Sequence, residues 1–471
     1  MKPVVCGMTL LVALALGGCA SISVEENLND TNVFAKARFG TELRWLNSDE
    51  ARREAQGDVD KLLDKPLSQE DASRLSLAYS PAFQAMIAEN ASGSARATQS
   101  ARLPNPIFTF EKLVRMEDGV RDLDIGRMIA FSVLDILYLP SRIGLANNTQ
   151  QGLRLKSAGD VVQTVTEARQ SWVKAVAAQQ SVAYYEQVMD AAEAGAELAR
   201  RMQGAGNFSR MQRARQQAFY AEAAAQVMRA RQADVEARET LIRTLGLSPE
   251  QAKKLKLPER LPDLPKLIRD EQSVAQQSLD ERVDVRMARF ELDTVARTRG
   301  LTRVQSVLEG LHVGVVNNSA TGKEQQRGYE LEFPIPIFDF GDARRAGAQA
   351  DYMAAVYRAQ QTAIDASSQV RQQYSAYRTA HALARHYREE IVPLRKTISD
   401  EQLLKYNGML IGVFELLADS REQITSVVSA IEAERDFWLA DAALQATLIG
   451  KPMSGGPVAT RAVASAGGAA H

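Results

Sequence analysis

The 471-residue sequence predicts a mainly α fold with a small β part: a duplicated unit of long coiled-coil-like helices plus a β-hairpin. Three observations carry this reading. First, the chain is written twice. Phe131 to Tyr138, ending near Arg142, is echoed by Phe333-Pro334-Ile335-Pro336-Ile337-Phe338-Asp339-Phe340 ahead of Arg344 and Arg345. Ala205-Gly206-Asn207-Phe208-Ser209 is echoed by Leu410-Ile411-Gly412-Val413-Phe414-Glu415, and Thr244-Leu245-Gly246 by Thr447-Leu448-Ile449-Gly450. A duplication this long makes each half one structural unit. Second, Arg142 to about Gln203 holds no proline, which is room for ~90 Å of helix at 1.5 Å per residue. Third, Tyr329, Leu331, Phe333, Ile335 and Ile337 alternate with Glu330, Glu332 and Pro334, the period of a strand.

Composition narrows the class. A chain of this length can bury a sizeable core or several domains. The formal net charge of -1 argues against non-specific nucleic-acid binding, so no nucleic-acid partner is expected. The two cysteines, Cys6 and Cys19, both lie at the N-terminus, which leaves no disulfide framework and no Cys-based metal site in the body. Residues 1–18 read as a signal peptide: Lys2 supplies the charge, Val4 to Leu16 is apolar but too short to span a membrane comfortably, and Leu16-Gly17-Gly18-Cys19 resembles a bacterial lipobox. Cleavage there would leave Cys19 lipidated and anchored, at about 0.8 kcal/mol per buried methylene. The alternative is an ordinary signal peptide with an incidental cysteine. Ala20 in place of Asp after the cysteine permits the outer membrane. No later run is apolar enough for a transmembrane helix, so a membrane-spanning part would have to be a closed β-barrel.

The elements follow in order. Residues 19–70 form a polar, lipid-anchored lead-in that Trp45 and Leu46 pack onto the body. The first repeat, 71–247, opens with a helix from Ala72 to Ala101, stopped by Pro104 and Pro106. Ile107 to Val114 is a strand, Met116 to Asp124 an acidic loop around Gly119, and Arg127 to Tyr138 a second strand broken by Pro140, with Ser141 as helix cap. In the long helix, Val161, Val165, Ala168, Trp172, Ala175 and Val182 form a heptad seam with a polar Gln179 in register. Gly204 to Asn207 is a tight turn, and Ser209 to Leu245 the return helix. Residues 248–275 are a proline-rich connector. The second repeat, 276–450, has a helix from Glu281 to Arg303, a strand through Leu311, Val313 and Val315, a polar loop from Asn317 to Arg327, and the alternating strand. The Gly/Ala/Ser-rich tail, 451–471, is expected to be disordered.

Four strands of about ten residues are long enough to cross an outer membrane when tilted, yet small barrels need about eight strands to close. If the strands are transmembrane, several protomers must share one barrel, and trimerisation into a 12-stranded β-barrel satisfies closure. A soluble half-buried hairpin would show the same alternation.

The order of these pieces resembles the outer membrane efflux protein (TolC) family, over about residues 70–450. The resemblance is carried by Leu103-Pro104-Asn105-Pro106, Phe333-Pro334-Ile335-Pro336, Phe338-Asp339-Phe340-Gly341, Tyr406-Asn407-Gly408 and Val413-Phe414-Glu415-Leu416-Leu417. It implies a homotrimer with a 12-stranded β-barrel in outer-membrane lipid and a periplasmic α-helical barrel. The tips of that helical barrel would meet a periplasmic adaptor (membrane fusion protein) linked to an inner-membrane pump. The first-half strand lacks the prolines of its copy, and Asp135 would have to avoid lipid.

The candidate site residues lie at the two helical turns. Gly206, Asn207, Phe208, Ser209, Gly408, Gly412 and Val413 are candidate adaptor contacts, with Gly206 and Gly408 expected at positive φ; the alternative is that they are only helix caps. The resemblance puts Glu415 at a pore constriction, with Asp419 one turn on and Arg210, Arg213 and Arg421 as ion-pair partners; the alternative is solvated helical charge. His381 and His386 do not share a helical face, and the sequence shows no metal site, cofactor site, nucleophile elbow or phosphate loop, so no catalysis is expected. The function read from this is the outer-membrane channel of a tripartite efflux system. The exit duct of a type I protein secretion system, or a lipid-anchored periplasmic coiled-coil scaffold whose hairpins fold onto its helices, remain the alternatives.

Overall fold

The computed structural model describes residues 24–117, 119–270, 281–305, 311–332, 335 and 337–451. In chain order the elements are α1 (Val24–Phe39), α2 (Asp49–Leu63), α3 (Gln69–Ala78), α4 (Pro81–Ser100), β1 (Ile107–Glu117), β2 (Val120–Ser132), α5 (Val133–Gly204), α6 (Arg210–Leu245), α7 (Pro249–Lys254), α8 (Val283–Gln305), β3 (His312–Ala320), β4 (Gln326–Glu332), α9 (Asp342–His386), a π turn (Tyr387–Ile391), α10 (Val392–Asn407) and α11 (Val413–Ile449). The chain divides into two compact units, each drawing on both halves of the sequence: Met1–Thr31, Ala88–Ser157 and Val285–Ala363, and Asn32–Ile87, Ala158–Asp284 and Ile364–His471. Cys19, the lipobox and the C-terminal tail lie outside the described residues, as do Phe333, Pro334 and Pro336. No helix among the described residues is long and apolar enough to cross a membrane.

The first unit holds one antiparallel sheet in the order β1-β2-β3-β4, so the two hairpins join edge to edge through β2 and β3. The strands are longer than the charge pattern suggested. The acidic stretch Met116–Asp124 shrinks to a turn at Gly119, whose φ of 80° a glycine accepts freely, and β1 and β2 pair up to Glu117↔Val120. The polar loop expected over Asn317–Arg327 likewise reduces to residues 321–325. Thr321 clamps it by accepting the Leu123 amide at 2.9 Å and returning its own amide to the Leu123 carbonyl at 3.0 Å. Arg121, Asp124 and Arg327 here are exposed, so their charge does not oppose the backbone ladder.

Two boundaries differ the other way. The strand expected to reach Tyr138 stops at Ser132, and Val133 opens α5. Ser132 Oγ accepts the Asp135 amide at 3.3 Å, so Ser132 does the capping work assigned to Ser141. Asp135 therefore lies on a helix, paired to Arg142 at 2.9 Å. Pro140 sits inside the helix instead of breaking it. So near the start, its missing N–H removes a single helical bond. β4 ends at Glu332, and Ile335 and Ile337 lie outside any strand; prolines at 334 and 336 cannot donate to a ladder.

The second unit is helical. The seam is real: Val161, Val165, Ala168, Trp172 and Ala175 are buried. Trp172 packs among Leu63, Leu67, Val176, Leu241 and Leu245. The polar seam residue Gln179 donates to the Pro258 carbonyl at 3.1 Å. Trp438 donates to the Pro262 carbonyl at 3.2 Å, and His381 meets the Pro265 carbonyl at 3.0 Å. Among its described residues the proline connector forms no ladder of its own, and helix side chains satisfy these three carbonyls instead. The lead-in packs through Ala35 and Leu43 against Leu77, Phe83, Val161 and Val165, while Trp45 and Leu46 are only half-buried. The helix expected over Ala72–Ala101 is two helices, because a proline disfavours helical backbone at the residue before it, and Pro81 begins α4. The second repeat also departs from a uniform helix: the π turn precedes Pro393, and Arg388 within it pairs with Asp263 at 2.6 Å.

Candidate functional site

Both helical turns lie in the second unit, and both end their first helix in the same hydrogen-bond pattern. In the first, the Asn207 amide bonds the Met202 carbonyl at 2.9 Å and the Gly206 amide bonds the Gln203 carbonyl at 3.0 Å. This is a Schellman motif, which needs a left-handed residue at its fifth position. Gly206 supplies it with φ 81°, as the sequence predicted. Ser209 then starts α6 with a complete capping box: its Oγ accepts the Gln212 amide at 3.2 Å, and Gln212 Oε1 accepts the Ser209 amide at 2.7 Å.

In the second turn, the Leu410 amide bonds the Lys405 carbonyl and the Met409 amide bonds the Tyr406 carbonyl, both at 2.9 Å. The left-handed position therefore falls on Met409, with φ 58°, and not on Gly408, whose φ is −80°. This corrects the expectation for Gly408, which the motif places one residue too early. Gly412 caps α11 with extended backbone and no side-chain bond, where the first turn has Ser209. Aligning the turns on the glycines that end the return helices, Gly246 and Gly450, would have set Met409 close to Gly206.

The second turn is thus the weaker and more apolar of the two. Met409 is 92% exposed and Leu410 78%. A non-glycine residue in the left-handed region costs about 1–2 kcal/mol. Met409→Gly should therefore slow amide exchange at Leu410 about fivefold, and Gly206→Ala should speed it at Asn207 by a similar factor. Equal exchange in both variants would show that the turns are held by something other than these motifs.

The charged candidates find partners other than one another. Arg213 donates to Gln203 Oε1 at 2.9 Å. Arg421 lies 3.5 Å from Glu222 and stacks over the Phe219 ring at 5.1 Å, a pairing the sequence reading missed because both partners sit on α6. Arg210 and Glu415 are exposed, each at the start of its helix. Asp419 is buried, and its Oδ2 meets no hydrogen-bond donor among the described residues. Near the first turn, hydrogen bonds from Arg200 and Arg201 hold the Glu197 carboxyl down at about 2. Among the described residues no cluster of three His, Cys, Asp or Glu side chains is placed to hold a metal.

No protein-family model and no curated protein sequence matches the chain. Solved structures do. The chain is similar to the outer membrane protein VceC of Vibrio cholerae, with a TM-score of 0.68 at 13% identity over 86% of this chain and 99% of VceC. It is similar to the CmeC outer membrane channel of Campylobacter jejuni, with a TM-score of 0.65 at 12% identity over 86% and 89%. It is also similar to CusC, described as forming a transmembrane channel, with a TM-score of 0.68 at 12% identity over 81% and 92%. At these identities the likeness establishes the fold, which agrees with the family resemblance carried by the sequence; CmeC and CusC are described as channels and VceC as an outer membrane protein.

Proposed function

We propose that the chain is the outer-membrane channel component of a tripartite efflux system. It would pass small toxic compounds or ions from an inner-membrane pump and a periplasmic adaptor to the outside. The observation that carries this reading is the sheet. Among the described residues its edge strands β1 and β4 have no partner on their outer edges, and Phe108, Phe110, Tyr329 and Leu331 on them are exposed. Open apolar edges are a liability unless another chain covers them. Because β1 and β4 run antiparallel across the sheet, β4 of one copy can continue onto β1 of the next, and three copies close a barrel of 12 strands. The scaffold alternative needs hairpins folded onto helices, whereas these hairpins pair with each other.

In this reading the first repeat spans 71–247 and the second 276–450, Cys19 carries lipid, and the two turns meet the adaptor. The exposed Met409 and Leu410 offer that partner an apolar surface. Glu415 lines the constriction, where a threefold ring of carboxylates favours cations, and Asp419 lies buried one turn behind it. Single-channel recordings from the purified mature protein are expected to show cation-selective steps, with selectivity reduced severalfold in Glu415→Ala. A folded protein that is monomeric in detergent and silent in planar bilayers, wild type and variant alike, would sink this reading.

A further inference from the structure

The sheet sorts its charges by face. Cross-strand register places Phe131, Val313 and Leu331 in one row, Phe108, Ile129, Val315 and Tyr329 in the next, and Phe110, Arg127, Asn317 and Arg327 in a third. Toward the hairpin turns the same face carries Lys112 opposite Ile125, then Val114 opposite Leu123, then Met116 opposite Arg121. All four cations are exposed, and no carboxylate shares their face among the described strand residues. The opposite face carries Glu111, Asp122, Asp124, Glu330 and Glu332 with Arg115.

Arg127 opposes Phe110, so it is diagonal to Lys112, about 7–8 Å away and within reach of long side chains. Like charges so placed repel unless an anion sits between them. No ion pair holds Lys112, Arg121 or Arg127 among the described residues, and Arg327 donates to a neutral acceptor, Gln325 Oε1, at 3.2 Å. The two apolar rows that run across three or four strands lie at the end of the sheet that joins the helices. Cations on an apolar face are tolerated at headgroup depth and disfavoured deeper. Arginine stems can cover apolar surface while the guanidinium takes phosphate oxygens in pairs.

We propose that Lys112, Arg127 and Arg327 form an outward girdle that binds phosphate groups of lipid headgroups in the leaflet on the hairpin-turn side. This rests on the reading of the strands as membrane-spanning. The acidic opposite face repels the same headgroups, which makes the girdle specific to one side of the sheet.

The test titrates the mature protein in detergent with a bis-phosphorylated glycolipid, with the same glycolipid after dephosphorylation, and with inorganic phosphate. Losing two cations should weaken binding of the phosphorylated glycolipid about 25-fold in Arg127→Gln/Arg327→Gln, at about fivefold each. Arg115→Gln, on the other face, should bind like wild type, and millimolar phosphate should not compete. The proposal is overturned by undiminished binding in the double variant, by equal binding of the dephosphorylated glycolipid, by an equal loss in Arg115→Gln, or by free phosphate taking the site alone. Labelling of Val315→Cys in vesicles by a membrane-impermeant thiol reagent separates the two readings. Protection without phosphate dependence removes the girdle and leaves the barrel. Full labelling removes both.

Discussion

Gly450→Ala and Gly246→Ala are expected to lower stability by about 2–5 kcal/mol each, the sum of a left-handed backbone cost and an overpacking cost. Both glycines end a return helix with positive φ, 96° at Gly450 and 70° at Gly246. A Cβ on Gly246 would stand 2.2 Å from Pro81 Cδ, and one on Gly450 would stand 2.6 Å from the Val283 backbone nitrogen. At Gly450 it would also lie 2.7 Å from Asp284 Oδ1, whose carboxylate pairs with the buried Arg282 at 2.6 Å. A proline ring and a backbone nitrogen cannot swing aside as a flexible side chain can. Gly40→Ala is the control: its φ is 64°, but nothing lies within 4 Å of the added Cβ, so only the backbone cost of about 1–2 kcal/mol applies. Thermal midpoints for the three variants should fall in two classes. If Gly246→Ala falls no further than Gly40→Ala, the close approach is not there.

The placement of these glycines explains why the repeat could be read at all. Gly246 packs on Pro81, the first residue of α4, and Gly450 on Val283, the first residue of α8. In each repeat the end of the return helix is thus set against the start of the helix that leads to the hairpin. Only glycine fits both the dihedral and the space, so the same residue stands at both places. The heptad seam was legible for a similar reason: burial at Val161, Val165, Ala168 and Trp172 leaves a period in the sequence. Where a residue can serve two structures, the reading failed. Val133 to Leu139 is apolar enough for either a strand or a helix, and Ser132 and the Asp135–Arg142 pair decide for the helix. The turns were identifiable as turns, but the left-handed position was not, because Met409 occupies it beside a glycine that looks better suited. Partners such as Glu222 and Phe219 for Arg421 depend on how two helices lie together, which no local pattern encodes.

Trp172→Ala should cost about 3–5 kcal/mol through the lost aromatic volume alone. Trp172 is 2% exposed at the centre of the largest core, and its indole N–H donates to the Leu67 carbonyl at 2.7 Å. The Leu67 amide in turn bonds the Lys256 carbonyl at 2.8 Å, so this short stretch is tied to the long helix on one side and the connector on the other. Losing the indole empties the space beside Leu63 and Leu67 and leaves the Leu67 carbonyl without that donor. α2, which buries Val59 and Leu63 in the same core, should loosen first. Tryptic cleavage after the exposed Lys61 is the direct readout. Trp172→Phe separates the two contributions. It keeps most of the volume and orphans the carbonyl, a loss of about 1–3 kcal/mol. A phenylalanine variant as fragile as the alanine variant would mean that the hydrogen bond to Leu67, more than the packing of the seam, holds the lead-in to the helical unit. One close to wild type would mean the reverse, and would leave the heptad seam as the main source of stability there.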